Sequence, residues 1–159
     1  MKIVKTLLCL FLIVTICACT TTSNIKNISE SVAQEMDIVE EEKGVVFLDL
    51  TFEQALEKAK NEGKSVFVNF HTQTCGPCRK MEKTVFTSPV CGRYINRHFI
   101  PIMIDGEDGG AGTEIAKKYT IFIFPTYLIL NSDGSKVGEI SGTEFNIENF
   151  VNKVKGVMK

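Results

Sequence analysis

Ser65-Val66-Phe67-Val68-Asn69-Phe70-His71-Thr72-Gln73-Thr74-Cys75-Gly76-Pro77-Cys78-Arg79-Lys80-Met81-Glu82-Lys83-Thr84-Val85-Phe86 decides the fold. Ser65 to Phe70 is a β-branched and aromatic run, which predicts a buried strand. A helix is predicted from about Cys75 to Phe86, so the two cysteines sit where a strand ends and a helix begins. Cysteines three apart on a helix share a face, with Cβ atoms about 5–6 Å apart. A disulfide needs about 3.5–4.5 Å, so the first turn has to tighten slightly. Pro77 is tolerated there because first-turn amides have no intrahelical acceptor. The helix N-terminus supplies partial positive charge and free N–H donors, and both favour a thiolate on Cys75. Cysteines so placed titrate at about 3.5–7.5, against about 8.5 for a free one. Cys75 is therefore expected to be exposed and to act as nucleophile. Cys78 shares a face with Met81 and Val85, and is expected to be buried and to resolve the mixed disulfide.

The competing reading of Cys-x-x-Cys is half of a zinc site, which needs two more ligands at suitable spacing. Only His71, His98 and Cys91 are candidates, and the chain has no second Cys-x-x-Cys and no His-x₃-His. Redox chemistry is the stronger reading, and no metal is expected.

Working outward, Val45 to Leu48 reads as a short strand. Thr51-Phe52-Glu53-Gln54 fits a capping box, and Phe52, Ala55, Leu56 and Ala59 then recur at helical spacing until Gly63 stops the helix. After the Ser88-Pro89 break a shorter helix runs from about Val90 to Arg97, and Phe99 to Ile104 is the next strand. Asp105 to Gly112 is an acidic, glycine-rich loop. It lacks the calcium-loop order because its twelfth position is Ala116, so it reads as mobile. A helix from Thr113 to Lys118 follows. Tyr127 to Leu130 and Lys136 to Ser141 flank the hairpin signal Asn131-Ser132-Asp133-Gly134. A last helix spans about Asn146 to Val157. Strands separated by helices imply parallel pairing, with the terminal hairpin adding antiparallel edges to an α/β fold. Some 115 residues suffice to bury one core without disulfide staples.

The N-terminus reads differently. Lys2 and Lys5 precede the apolar run Leu7 to Val14, shorter than the roughly 20 residues that span a bilayer but suited to a signal-peptide core. Ile16-Cys17-Ala18-Cys19 is similar to the bacterial lipobox. That resemblance implies cleavage after residue 18 and a lipid on Cys19; Cys17 is a poorer acceptor because Ile16 precedes it. An ordinary secretory signal or an uncleaved anchor is the alternative. Two or three acyl chains anchor firmly where one does not. Residues 19–44 are polar, with the acidic run Glu40-Glu41-Glu42, and read as a flexible spacer. The expected organisation is a signal peptide over 1–18, a lipidated cysteine and tether over 19–44, and one domain over 45–159. With Cys19 lipidated, Cys75, Cys78 and Cys91 remain in a disulfide-permissive compartment. An odd count argues for one reactive pair plus a buried thiol rather than a disulfide scaffold.

Hydrophobic residues at 44% and charged residues at 23% exclude wholesale disorder, and Lys+Arg 18 against Asp+Glu 19 gives no electrostatic reason to bind nucleic acid.

Over Val45 to Lys159 the chain resembles the thioredoxin superfamily. Cys75-Gly76-Pro77-Cys78 after a β-branched strand carries the likeness, together with Phe124-Pro125-Thr126 before a strand. The stretch from Cys75 to Phe86, with Phe99 to Asp105 and the Asn131 to Gly134 turn, is similar to the C-terminal periplasmic domain of the reductant transporter DsbD. The resemblance implies a thioredoxin-like fold with a central mixed sheet and helices on both faces. It implies a cis peptide before Pro125, which positions a client backbone against Cys75, with Gly76, Pro77, Phe124 and Thr126 beside it. Glu82 matches the acid of the DsbD-like motif and is a candidate proton acceptor for Cys78; its alternative is a surface pair with Arg79 or Lys83. The chain departs from the family at Asn69, where thioredoxin has a buried aspartate. It departs again at His71 and Thr74, where the family has tryptophans.

Nothing between the cysteines over-stabilises a thiolate, since Gly76 and Pro77 carry no charge. The expected poise is thus nearer thioredoxin's, about −270 mV, than that of strong oxidants near −120 mV. The function expected is a membrane-anchored disulfide reductase in the bacterial envelope, with no cofactor beyond the Cys75–Cys78 pair. Expected partners are disulfide-containing extracytoplasmic proteins and a membrane electron carrier of DsbD or CcdA type. The alternatives are a redox-inert or chaperone-like client-binding module, and an oxidase or isomerase.

Overall fold

The computed structural model describes residues 43–159. The expected signal peptide, Cys19 and most of the expected spacer lie outside the described residues. Among those described, the order is α1 (Phe52–Glu62), β1 (Ser65–His71), α2 (Gly76–Thr84), α3 (Pro89–His98), β2 (Phe99–Asp105), α4 (Ala111–Lys118), β3 (Thr126–Leu130), β4 (Lys136–Ser141) and α5 (Ile147–Val157). No helix among them is long and apolar enough to cross a membrane.

Local signals set most boundaries. Thr51 and Gln54 form the reciprocal capping box of α1, and Gly63 ends it in the left-handed region at φ 64°. Ser88 caps α3, with Pro89 in its first turn. α2 stops at Thr84, short of Phe86, and residues 85–87 turn toward that cap.

The four strands make one mixed sheet in the order β2-β1-β3-β4. β1 pairs parallel with β2, and β3 runs antiparallel to both β1 and β4. The parallel pairing expected of helix-separated strands holds for β1 and β2, and the sheet is mixed as expected; the hairpin, expected to add only edges, instead puts β3 inside the sheet. The reason is burial. All five β3 residues are buried, whereas β4 is half-buried to exposed throughout; a strand apolar on both faces belongs at the centre.

The strand expected at residues 45–48 is also absent. Leu48 N–H donates to Pro101 O at 2.8 Å, but Leu48 O accepts from Leu50 N–H in a tight local turn, so no second ladder bond forms. The segment is instead strapped down. Asn96 accepts from Val46 N–H (2.9 Å) and donates to Gly44 O (3.1 Å), and Val45 N–H reaches Phe86 O. Gly44, expected to belong to the spacer, is thus already part of the domain.

Alternation along the strands divides the core. On one face α1 and α4 bring Phe52, Ala55, Ala59 and Ala116 onto Val66, Val68, Phe70, Ile102 and Leu128. On the other, α2, α3 and α5 bring Met81, Val85, Cys91, Ile95, Phe150 and Val154 onto Phe67, Phe99, Tyr127 and Ile129. Phe86 centres the second face, with its ring 5.2–6.4 Å from those of Phe47, Phe67, Tyr127 and Phe150. The loop after β2, expected to be mobile, is tied down. The Asp108 carboxylate accepts from Gly110, Gly112 and Thr113 N–H and from Thr113 Oγ1, capping α4. Those donors hold its pKa down at about 2.

Candidate active site

β1 ends at His71, and the chain turns through a Cys75 N–H to Thr72 O bond of 3.1 Å into α2. Cys75 is the helix N-cap, in extended backbone, and Pro77 occupies the first turn. A disulfide joins Cys75 to Cys78, with Cα atoms 5.3 Å apart. Cys75 Sγ accepts the Cys78 N–H at 3.1 Å, so the sulfur does what a serine or aspartate oxygen does at an ordinary cap. Cys75 is half-buried, Gly76 and Pro77 are exposed, and Cys78 is 1% exposed. Arg79 steadies the approach to the motif by donating from Nη1 to Gln73 O at 2.8 Å.

β3 brings the second part of the site. Thr126 pairs with Phe70, so residues 123–125 lie beside the end of β1 from which Cys75 follows. The Phe124–Pro125 bond is cis, and Pro125 O accepts from Gly142 N–H at 2.8 Å. Thr126 is 1% exposed, its hydroxyl donating to Ile123 O and bonded to Ser141 Oγ and its backbone in register with Phe70 and Ser141, so neither its side chain nor its main chain is open to a client. Phe124 is half-buried, its ring packed over Gly106, where a Cβ would find no room.

Beneath the pair the site is polar without being satisfied. Asn69, Met103 and Tyr127 are register partners on the sheet face that α2 covers. Asn69 Oδ1, Tyr127 OH and Glu82 Oε1 are buried and have no hydrogen-bond partner among the described residues. Burial pushes the Tyr127 phenol up, with Cys91 and Glu82 adding to the effect. Among the described residues Glu82 forms no ion pair with Arg79 or Lys83. Instead it lines a cleft of about 430 Å³ between α2, Met103 and the strap of residues 43–47. Cys91 is fully buried, and burial pushes its thiol up to about 12. His71 stands in register with Asp105 on β2.

Sequence reading missed two features here: the strap that walls the Glu82 cleft, and the exposed pair Phe122 and Ile123, at 73% and 62% exposure, just before the cis-proline. The second had a signal, two apolar residues in a stretch without helical or strand periodicity.

Residues 52–156 match the model of a thioredoxin-like domain family. The chain is 39% identical to a Bacteroides thetaiotaomicron protein provisionally named a disulphide-isomerase, covering 74% of this chain and 95% of that one, with a TM-score of 0.65. A thioredoxin H-type from Oryza sativa subsp. indica is 30% identical over 95 residues, or 57% of this chain and 68% of the relative. The oxidised C-terminal domain of Neisseria meningitidis DsbD shares the fold at 19% identity and a TM-score of 0.58, over 70% of this chain and 97% of that one. With some longer curated relatives the match spans only 9% of the relative's length. With its sheet order, its Cys75–Cys78 disulfide and this match over residues 52–156, the chain belongs to the thioredoxin-like domain family.

Proposed function

We propose that the protein is a thiol–disulfide oxidoreductase that reduces protein disulfides from a lipid anchor on Cys19, outside the cytoplasm. The observation that carries the chemistry is the asymmetry of the pair: Cys75 Sγ faces the donors of a helix N-terminus while Cys78 is buried beneath it. In the reduced protein, the Cys75 thiolate attacks one sulfur of a client disulfide. The client's other sulfur leaves as a thiolate and takes a proton. Cys78 then gives up its proton and attacks Cys75, the mixed disulfide breaks, and the second client sulfur leaves. Two electrons pass from the pair to the client, whose two sulfurs take up the proton released by Cys78 and one from solvent, and no cofactor enters.

Glu82 is the proton acceptor for Cys78 in this reading. Its partnerless buried oxygen has no competing role in the fold, Asn69 cannot take a proton at neutral pH, and the cleft lets the proton leave for solvent. Pro125, with the main chain of Phe124, holds the client strand across the exposed Gly76-Pro77 turn, and the buried Thr126 supports the cis-proline turn from behind. Recharging falls to a membrane thiol-electron carrier of DsbD or CcdA type, and a tether raises the effective concentration of the pair beside it. The disulphide-isomerase name of the Bacteroides relative and the thioredoxin name of the rice relative support the chemistry. The uncharged Gly-Pro dipeptide favours the reducing direction.

Equilibration with glutathione buffers tests the direction: a potential near about −270 mV is expected, and one above about −180 mV places the protein among isomerases and oxidants. Insulin reduction that persists in Cys75→Ser overturns the mechanism. Radiolabelled palmitate is expected on the wild type and absent from Cys19→Ala; no labelling removes the anchor.

A further inference from the structure

The end of the sheet that carries the disulfide has two unlike flanks. Sheet order places the acidic loop after β2 on one side of Cys75, and residues 120–125 with the loop after β4 on the other. On that second side Thr120 takes a left-handed backbone at φ 62°, after which Ile121 turns inward at 4% exposure while Phe122 and Ile123 turn out at 73% and 62%. A hollow of about 100 Å³ opens between these residues and Ser141. The Gly142 N–H to Pro125 O bond fixes the loop after β4 beside the cis-proline. In that loop Phe145, 41% exposed, lies under Lys80 of α2, with Nζ 4.3 Å from the ring centroid. An apolar shelf therefore flanks the buried Pro125, with Phe122 and Ile123 before it and Phe145 in the loop bonded to it, the last under a lysine one turn into the redox helix.

Cations outnumber carboxylates on this side, and Glu139 at the edge of the hollow is held by Lys136. Arg79, Lys80 and Lys83 are exposed on α2. The nearby carboxylates are already paired, Glu139 with Lys136 and Glu144 with Lys153, each at 2.9 Å. Large apolar side chains left in water next to a reactive group mark a contact surface, and an unpaired ammonium beside them selects an anion.

We infer that this shelf selects the client: an extended polypeptide segment with an apolar side chain next to its disulfide cysteine, on Phe122 and Ile123, and a carboxylate a few residues away, on Lys80. This rests on the reductase reading and names its substrate class.

The test uses full-length reduced protein with two synthetic disulfide-linked peptides, one flanked by Leu and Glu and one by Ser and Lys, plus glutathione disulfide as a small control. The wild type is expected to prefer the first peptide on the order of tenfold in kcat/KM. Phe122→Ser/Ile123→Ser should bring the ratio within about twofold while glutathione disulfide is reduced at an unchanged rate, and Lys80→Glu should lower the ratio. Val90→Ser, an exposed apolar site on α3 (49%), should leave the ratio intact. Equal rates on both peptides, or a preference that survives in the double variant, overturn the shelf alone. Failure to reduce glutathione disulfide as well overturns the reductase reading with it.

Discussion

The backbone N–H of Cys78 donates to Sγ of Cys75 at 3.1 Å, so one redox sulfur is solvated by the amide of the other's residue. The bond joins the two roles. It lies at the helix end where a negative charge is stabilised, and its donor belongs to a residue 1% exposed. Reduction leaves the backbone donor in place, ready for a thiolate on Cys75.

Alkylation of the reduced protein at neutral pH should therefore be uneven. Iodoacetamide is expected to modify Cys75 at least about tenfold faster than Cys78, with Cys91 unmodified until the protein unfolds. Peptide mapping over time measures the order, and equal sluggishness of Cys75 and Cys78 removes the nucleophile.

Glu82 has a buried oxygen without a partner, on the helix that carries both cysteines. Glu82→Gln keeps the shape and removes the base. Resolution of a trapped mixed disulfide should slow on the order of 10²-fold, while the first attack by Cys75 stays within about twofold. Stopped-flow rates against pH separate the steps; both unchanged would leave Glu82 without a part in catalysis.

Asn69 is 1% exposed and its Oδ1 has no partner among the described residues, so Asn69→Asp would bury an acid without support. Burial raises the folded pKa above the unfolded value of about 3.9. The variant's stability should then be fullest below pH about 4 and be lost as pH rises through the folded value. Urea midpoints at pH 4 and 8, relative to wild type, measure it. No extra loss at pH 8 would mean the carboxylate finds a donor there.

Local rules were legible in the sequence because they act within a few residues: the Thr51–Gln54 box, the Gly63 stop, the Ser88 cap, and the strand-to-helix step at Cys75. The central place of β3 was half legible, since Tyr127-Leu128-Ile129-Leu130 leaves no polar face. Its direction was not, because pairing with β1 depends on where the chain crosses after α4. The false strand at 45–48 had the right composition, and what ends it is the local turn in which Leu50 N–H takes Leu48 O. The cysteine pair was readable from spacing alone. The Glu82 cleft was not, since its wall is a strap held by Asn96, a residue with no local signature.

That strap depends on Gly92 and Asn96. Gly92 sits inside α3, where alanine ordinarily stabilises a helix by about 1 kcal/mol. A Cβ there would overlap Lys43 O and Gly44, so Gly92→Ala should instead destabilise, by about 1–3 kcal/mol. Asn96→Ala removes both strap bonds at about 1 kcal/mol each. Chemical denaturation measures both, and a stabilised Gly92→Ala would show that the strap yields.

Cys91 makes a prediction at the alkaline end. Its thiol lies at 0% exposure in the core face formed by α2, α3 and α5, and burial raises its pKa from 9.0 to about 12. Between those values the unfolded chain has released the proton and the folded chain still holds it, so stability falls as pH rises. The contribution is complete below pH about 9 and gone by about 12, with a slope of about 1.4 kcal/mol per pH unit for one proton. Tyr127, also raised by burial, adds a second proton at higher pH. Cys91→Ala keeps a small apolar side chain and removes the first ionisation only. Its denaturation midpoint should fall less steeply than that of wild type from pH 9 to 10.5, with the two curves running parallel below pH 8. Parallel curves over the whole range would mean that the Cys91 thiol ionises in place, and that water reaches this face of the core.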